Sequence, residues 1–248
     1  MDDDTIRRLP KTDLHVHLDG SLRLSTLIDL ARERRVPLPS ETEDGLRERV
    51  FRPRYRNLEE YLQGFRYTVA VLGDAEALER AAFELCEDCQ AEGVRYVEVR
   101  FAPQLHVRQG FEVSDIVQAV DRGLRRAAEA FNRRPEVASG AEPRFVAGII
   151  LCALRYFNRD FSAGYRRFFE ALPEAPPREV YAAASLEVAR SAARLRREQG
   201  LLVVGIDLAG QEKGYPADDH RVGYQVAHEA FLGKTVHAGE DYGPESIF

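Results

Sequence analysis

Two histidines stand two residues apart, His15 and His17 in TDLHVHLDGSL, near the N-terminus of a 248-residue chain. In an extended segment, residues i and i+2 point to the same side, so these two imidazoles project together. Neutral imidazole is a common zinc ligand, and two from one strand fill half of a tetrahedral site. A chance pair of hydrogen-bonded core histidines has the same spacing, so HxH by itself leaves both readings open. A third histidine, His237 in KTVHAGED, ends another strand-like run, with Glu240 three residues on. His106, His220 and His228 fall in a loop or on helices and read as surface or packing residues.

The elements that must position these groups follow from periodicity and punctuation. Residues 12–17 alternate and then turn polar, as a short buried strand does. Ser25 is placed to cap a helix running to about Arg35, and the loop VPLPSETEDG follows. Asn57 opens NLEEYLQGFRYTVAVL, where Leu58, Tyr61, Leu62, Phe65 and Val69 share one helical face. Asp74 caps a helix to about Glu92, and VRYVEVRFAP then reads as a strand rich in β-branched and aromatic residues. Ser114 caps a helix through Phe131, and RFVAGIILCAL, 144–154, is a buried strand. A long stretch from Tyr156 to Gly200, helical and irregular, holds Pro173, Pro176 and Pro177. LLVVGIDLAG, 201–210, is a strand; a helix from Asp218 or Asp219 runs to Leu232; KTVHAGED, 234–241, is a fifth strand. Strands joined by helical crossovers make a parallel sheet. Each strand ends in polar or small residues, and barrels assemble their sites at strand C-termini. A (β/α)₈ barrel is therefore favoured over a doubly wound sheet, as one domain over residues 1–248.

Composition narrows the function classes. Hydrophobic residues are 44% and charged residues 31%, a globular balance. The net charge of −6 argues against nucleic acid or an anionic membrane as partner. No apolar run reaches the ~18 residues of a membrane span, and the acidic start MDDDTIRRLP carries no secretory signal, which points to the cytoplasm. Cys86 and Cys89 form a CxxC without a second pair to complete a zinc site, so they read as reduced packing thiols.

Taken in order, DLHVHLDGSL, VEVRFAP, GIDLAG and TVHAGE resemble the adenosine deaminase family, from about Leu9 onward. The resemblance implies a zinc-dependent purine aminohydrolase on a (β/α)₈ barrel, with one zinc ion per chain and a small purine nucleoside as partner. It implies that His15, His17 and His237 bind the metal, that Glu240 is the proton donor to the purine ring, that the Gly210 backbone holds the purine and that Asp19 takes a ribose hydroxyl. Leu58, Leu62 and Phe65 look like the family's pocket-entry helix. Read locally, Asp19 and Gly210 could equally serve turns, and the 58/62/65 stripe is helix packing first.

The chemistry agrees with these residue types. An amino group leaves an aromatic ring after water adds at its carbon; a metal makes that water nucleophilic at neutral pH, and an acid must protonate the adjacent ring nitrogen. The implied reaction is adenosine or 2′-deoxyadenosine to the inosine compound and ammonia. Adenine, an N6-modified AMP and a larger adenine nucleoside are the alternatives within the family. The family's histidine-glycine motif after strand six and its Asp-Asp pair after strand eight have no counterpart before PESIF. Five of eight strands are expected, hence a domain incomplete at its C-terminal side, with open sheet edges, poor solubility and doubtful activity by itself. A catalytically dead homologue that only binds purine is the rival outside enzymes. A binuclear amidohydrolase would want a bridging lysine that LLVVGIDLAG lacks, and the cytidine-type H-x-E with P-C-x-x-C is absent.

Overall fold

A computed structural model describes residues 2–241 and 243–247. Five parallel strands form one sheet in the order β1-β2-β3-β4-β5: β1 Lys11–His17, β2 Val94–Phe101, β3 Val146–Leu154, β4 Val203–Ala209 and β5 Gly233–Lys234. Sequential parallel neighbours joined by helices are the winding of a (β/α)₈ barrel, of which these residues supply five strands. The helices are α1 Asp3–Arg8, α2 Leu24–Arg34, α3 Glu43–Arg49, α4 Leu58–Leu62, α5 Phe65–Val71, α6 Ala75–Ala91, α7 Val113–Asn132, α8 Pro135–Ala138, α9 Ala163–Ala171, α10 Pro177–Gln199 and α11 Arg221–Glu229.

The central strand β3 is apolar on both faces, as a parallel strand covered by crossover helices tends to be. Ala147 through Ala153 of β3 are all buried. α7 buries Ile116, Val117, Val120, Leu124, Ala127 and Phe131, one face at helical spacing, and packs on α6. Cys86 and Cys89 lie buried in α6 as free thiols; burial pushes Cys89 up to about 12 and Cys86 higher, so neither is a ready thiolate. Among the described residues no helix is long and apolar enough to cross a membrane.

Several boundaries differ from the sequence reading, each for a local reason. Ser25 lies inside α2, whose N-cap is Arg23; the Arg23 guanidinium instead grips Asp88 of α6, with Nη2 2.6 Å from Oδ1. Ser114 lies inside α7, where Glu112 and Asp115 form a reciprocal capping box. The Asn57 helix breaks at Gln63–Gly64 into α4 and α5, because glycine there weakens helical continuity. α3 emerges from the expected loop, capped by Thr42. β5 is two residues long rather than eight, yet its pairing persists beyond it: Thr235 N–H donates to Ile206 O (3.0 Å) and His237 N–H to Leu208 O (2.9 Å). That extension carries His237 to the C-terminal end of β4.

Candidate metal centre

His15 and His17 leave the last turn of β1 on the same side, and β1 meets β2 with His17 opposite Arg100. His237 arrives across the sheet opening. Its Nε2 lies 2.9 Å from His15 Nε2 and 3.1 Å from His17 Nε2. A donor nitrogen from each of the three lies within 4.8 Å of the others. Ligands at zinc distance in a tetrahedral shell stand about 3.3–3.4 Å apart, so a small inward or outward shift seats an ion. Burial, then the neighbouring imidazoles, pushes His17 down to about 4. Burial and Arg100 lower His15 as well. Three imidazole nitrogens converging on one point are a donor set that Zn²⁺ takes.

Behind His237 lies a buried polar layer. Its Nδ1 is 2.9 Å from Asp207 Oδ2, and Arg100 Nη1 is 3.1 Å from the same oxygen. Thr235 Oγ1 donates to Asp207 Oδ1 at 2.9 Å, and Arg100 Nη2 donates to Leu14 O at 2.6 Å. Burial alone would raise the Asp207 carboxyl; His237, Arg100 and Thr235 outweigh it and hold it at about 2. An ionised carboxylate on the far ring nitrogen fixes a histidine's orientation and favours Nε2 as the ligand atom. Arg100, through Leu14, ties that carboxylate to the strand that carries the other two histidines.

The three histidines open into a cleft of about 1310 Å³. Leu58, Leu62 and Phe65, from α4 and the start of α5, line one side of it; Asp19, Gly210 and Glu240 line it as well. Asp19 is 4% exposed, its Oδ1 has no hydrogen-bond partner, and burial pushes its carboxyl up to about 7 against the pull of its own and Gly20's N–H groups. A buried acceptor in that condition wants a polar ligand. Gly210 has φ +90° and Gly239 φ +83°; both loops turn where a side chain would be strained, bringing backbone to the cleft and aiming Glu240 after its glycine. All the residues singled out from the sequence thus line a single cleft. His106 and His220 are packing residues, buried, and His228 is exposed.

Other members of the site went unread. Arg100 is one: its strand VRYVEVRF carries several charges and does not single it out, whereas Asp207, the lone charge in LLVVGIDLAG, belongs to a polar strand end of the kind that already pointed to a site in the sequence. Arg155 closes β3 and donates from Nη2 to His237 O at 2.7 Å. Tyr156 and Phe161, from the start of the 156–200 connection, also line the cleft.

A parallel strand series with imidazoles converging at its C-terminal ends defines the class of barrels that gather a metal and a small substrate at one mouth. The family model for adenosine deaminase matches residues 10–163 and 150–248. The chain belongs to the adenosine deaminase family. It is 37% identical over 247 residues to adenosine deaminase 1 of Streptomyces coelicolor, covering 99% of this chain and 54% of that protein. The Arabidopsis N6-mAMP deaminase superposes with a TM-score of 0.72 at 25% identity, covering 98% of this chain and 63% of that one. A Burkholderia ambifaria amidohydrolase, solved with bound Zn, shares the fold with a TM-score of 0.68 at 24% identity over 96% of this chain and 54% of that one. The chain spans 27% to 60% of the length of curated relatives it matches.

Proposed function

We propose that this protein catalyses the zinc-dependent hydrolytic deamination of adenosine or 2′-deoxyadenosine, releasing ammonia. The observation that carries the reading is the convergence of His15, His17 and His237 in the cleft that Glu240 lines. Zinc held there by the three imidazoles would make a water nucleophilic near neutral pH. The remaining work falls to the chain. Asp207 keeps the His237 ring in its ligand orientation. Asp19, buried with a free acceptor oxygen, takes a sugar hydroxyl, which favours a nucleoside over the free base. The Gly210 turn lets backbone approach the purine. Leu58, Leu62 and Phe65 cover the ring and exclude water, which strengthens each polar contact inside. Glu240 donates a proton to the ring nitrogen beside the carbon under attack, so that negative charge never accumulates on the ring.

Turnover of adenosine, followed as ammonia release, tests the reading, with Glu240→Gln as its control. The glutamine keeps the shape and a donor but cannot transfer a proton. We expect kcat to fall by ~10²–10⁴-fold with zinc stoichiometry intact and KM little changed. Near-normal kcat in that variant would remove Glu240 as the acid. Stoichiometric zinc and tight purine binding without turnover would favour a binding protein.

A second substrate reading has its own observation. Arg66 and Arg108 line the same cleft, and Arg108 is half-buried with no carboxylate in ion-pair range among the described residues. An uncompensated guanidinium suits a phosphate, as an N6-modified AMP would present. Comparing kcat/KM for adenosine and N6-methyl-AMP separates the two readings. A preference for the nucleotide that Arg108→Ala abolishes would select the phosphate-bearing substrate.

A further inference from the structure

Glu212 stands two residues after Gly210, in the loop that leaves β4. It is 6% exposed. Its Oε1 accepts from Gly239 N–H at 2.7 Å and its Oε2 from Asp241 N–H at 2.9 Å. These two amides flank Glu240. The carboxylate of one loop therefore grips the backbone of the next on both sides of a single residue. Arg155 secures the other end of the same turn: Nη2 donates to His237 O and Nη1 to Tyr215 O, each at 2.7 Å. Burial lowers Arg155, and Glu212 is the first charge that opposes it, so the two buried groups also support each other.

We infer that Glu212 is the positioning residue for Glu240: it fixes the peptide planes at Gly239 and Asp241 so that the acid's carboxyl can only rotate, not travel. The inference rests on the deaminase reading of Glu240. Hydrogen bonds to an ionised acceptor are short and strong, and two of them on alternate amides remove the freedom of the backbone between. A catalytic group displaced by about 1 Å can lose ~10²-fold in rate. A turn held only by its own backbone would leave that displacement open, because Gly239 sits in the left-handed region with no side chain to limit it. The division of labour is specific. Arg155 holds the carbonyl of the metal-ligand candidate, whereas Glu212 holds the residues around the acid. Loss of Glu212 should disturb proton donation and spare the metal.

The test uses the full chain with Glu212→Ala and the isosteric Glu212→Gln, each alone and combined with Glu240→Gln. Zinc stoichiometry, amide hydrogen exchange across 238–241, kcat and KM are measured. In Glu212→Ala we expect wild-type zinc content, faster exchange at Gly239 and Asp241, and kcat lower by about 10–100-fold with KM within about threefold. Glu212→Gln should lie between, since its amide turns one acceptor into a donor facing a backbone N–H. In the Glu240→Gln background the same substitution should cost less than about twofold more, because a group that acts through Glu240 has nothing left to position. Losses that multiply in the double variant would make Glu212 merely structural, and unchanged kcat or unchanged exchange in both single variants would overturn the inference. Should Glu212→Ala melt near room temperature, Glu212→Gln carries the comparison alone. A wild-type protein that turns over no adenine compound refutes the deaminase reading and this role with it; wild-type turnover with insensitive Glu212 variants refutes this role alone.

Discussion

At the scale of residues, the molecule keeps its buried histidines neutral. His106 donates its Nδ1–H to Leu72 O (3.1 Å) with Nε2 buried and unpartnered, and burial, reinforced by Arg108, pushes it down to about 4. Burial likewise lowers His220 to about 4. In the unfolded chain both return toward ~6.5. Between those values the unfolded state binds more protons, so stability is fully present above ~6.5 and drains as pH falls toward about 4. Each histidine adds a slope of up to ~1.4 kcal/mol per pH unit inside that window. Denaturant midpoints from pH 7.5 down to pH 4.5 should therefore fall steeply, and His106→Asn, which keeps an N–H donor for Leu72 O, should flatten the slope by up to one proton. A slope the variant leaves unchanged would mean that His106 already titrates normally in the fold. Arg100 and Asp207 follow the opposite logic. They are buried and charged, and each is tolerated because the other is there; removing one leaves an uncompensated charge, at a cost of about 3–5 kcal/mol.

At the scale of elements, one side of the cleft is built from a weakly secured helix. α4 has five residues, none fully buried, and its start depends on Asn57, whose side chain accepts from Glu60 N–H at 2.9 Å. Few buried contacts mean low local stability, and the break at Gly64 separates α4 from α5, which buries Thr68 and Val71. Asn57→Ala should cost ~1 kcal/mol locally. Hydrogen exchange across 60–62 should then quicken by about fivefold while the global unfolding midpoint barely moves. A global loss with unchanged local exchange would show instead that α4 unfolds only with the core. α6 and α7 behave differently because they face each other through long apolar stripes, and their contribution is to the scaffold rather than to the mouth.

At the scale of the whole molecule, the sheet has two outer strands, β1 and β5, each paired on one side and with no strand on its outer edge among the described residues. Leu14 on β1 is 54% exposed and Val236 beside β5 is 45% exposed. Open edges with unmet N–H and C=O groups and apolar side chains invite pairing with other chains. The 248-residue polypeptide should associate as its concentration rises, seen as growing light scattering and a concentration-dependent melt. A cooperative, concentration-independent monomeric melt would contradict this.

The sequence by itself determined the alternation of strands and helices, because apolar runs between turn residues report burial that no other arrangement satisfies. It also supplied the candidate residues, His15 and His17 in HxH, His237 with Glu240, and Gly210, but their local spacing leaves turn and packing readings open, and it was the resemblance carried by four motifs in order that implied their roles. Boundaries such as Ser25 and Ser114 were misread: α2 starts at Leu24, ahead of Ser25, with no side-chain cap, and in α7 Glu112 with Asp115 makes the capping box. Tertiary structure alone decided that His237 meets His15 and His17: more than two hundred residues separate them, and only the order of the parallel strands brings their ends to one mouth. It alone decided that Asp207 backs His237, that Arg100 ties this carboxylate to β1, and that Glu212 grips the turn around Glu240. Such partners are set by register between strands and by which loop overlies which, and local sequence spacing contains neither.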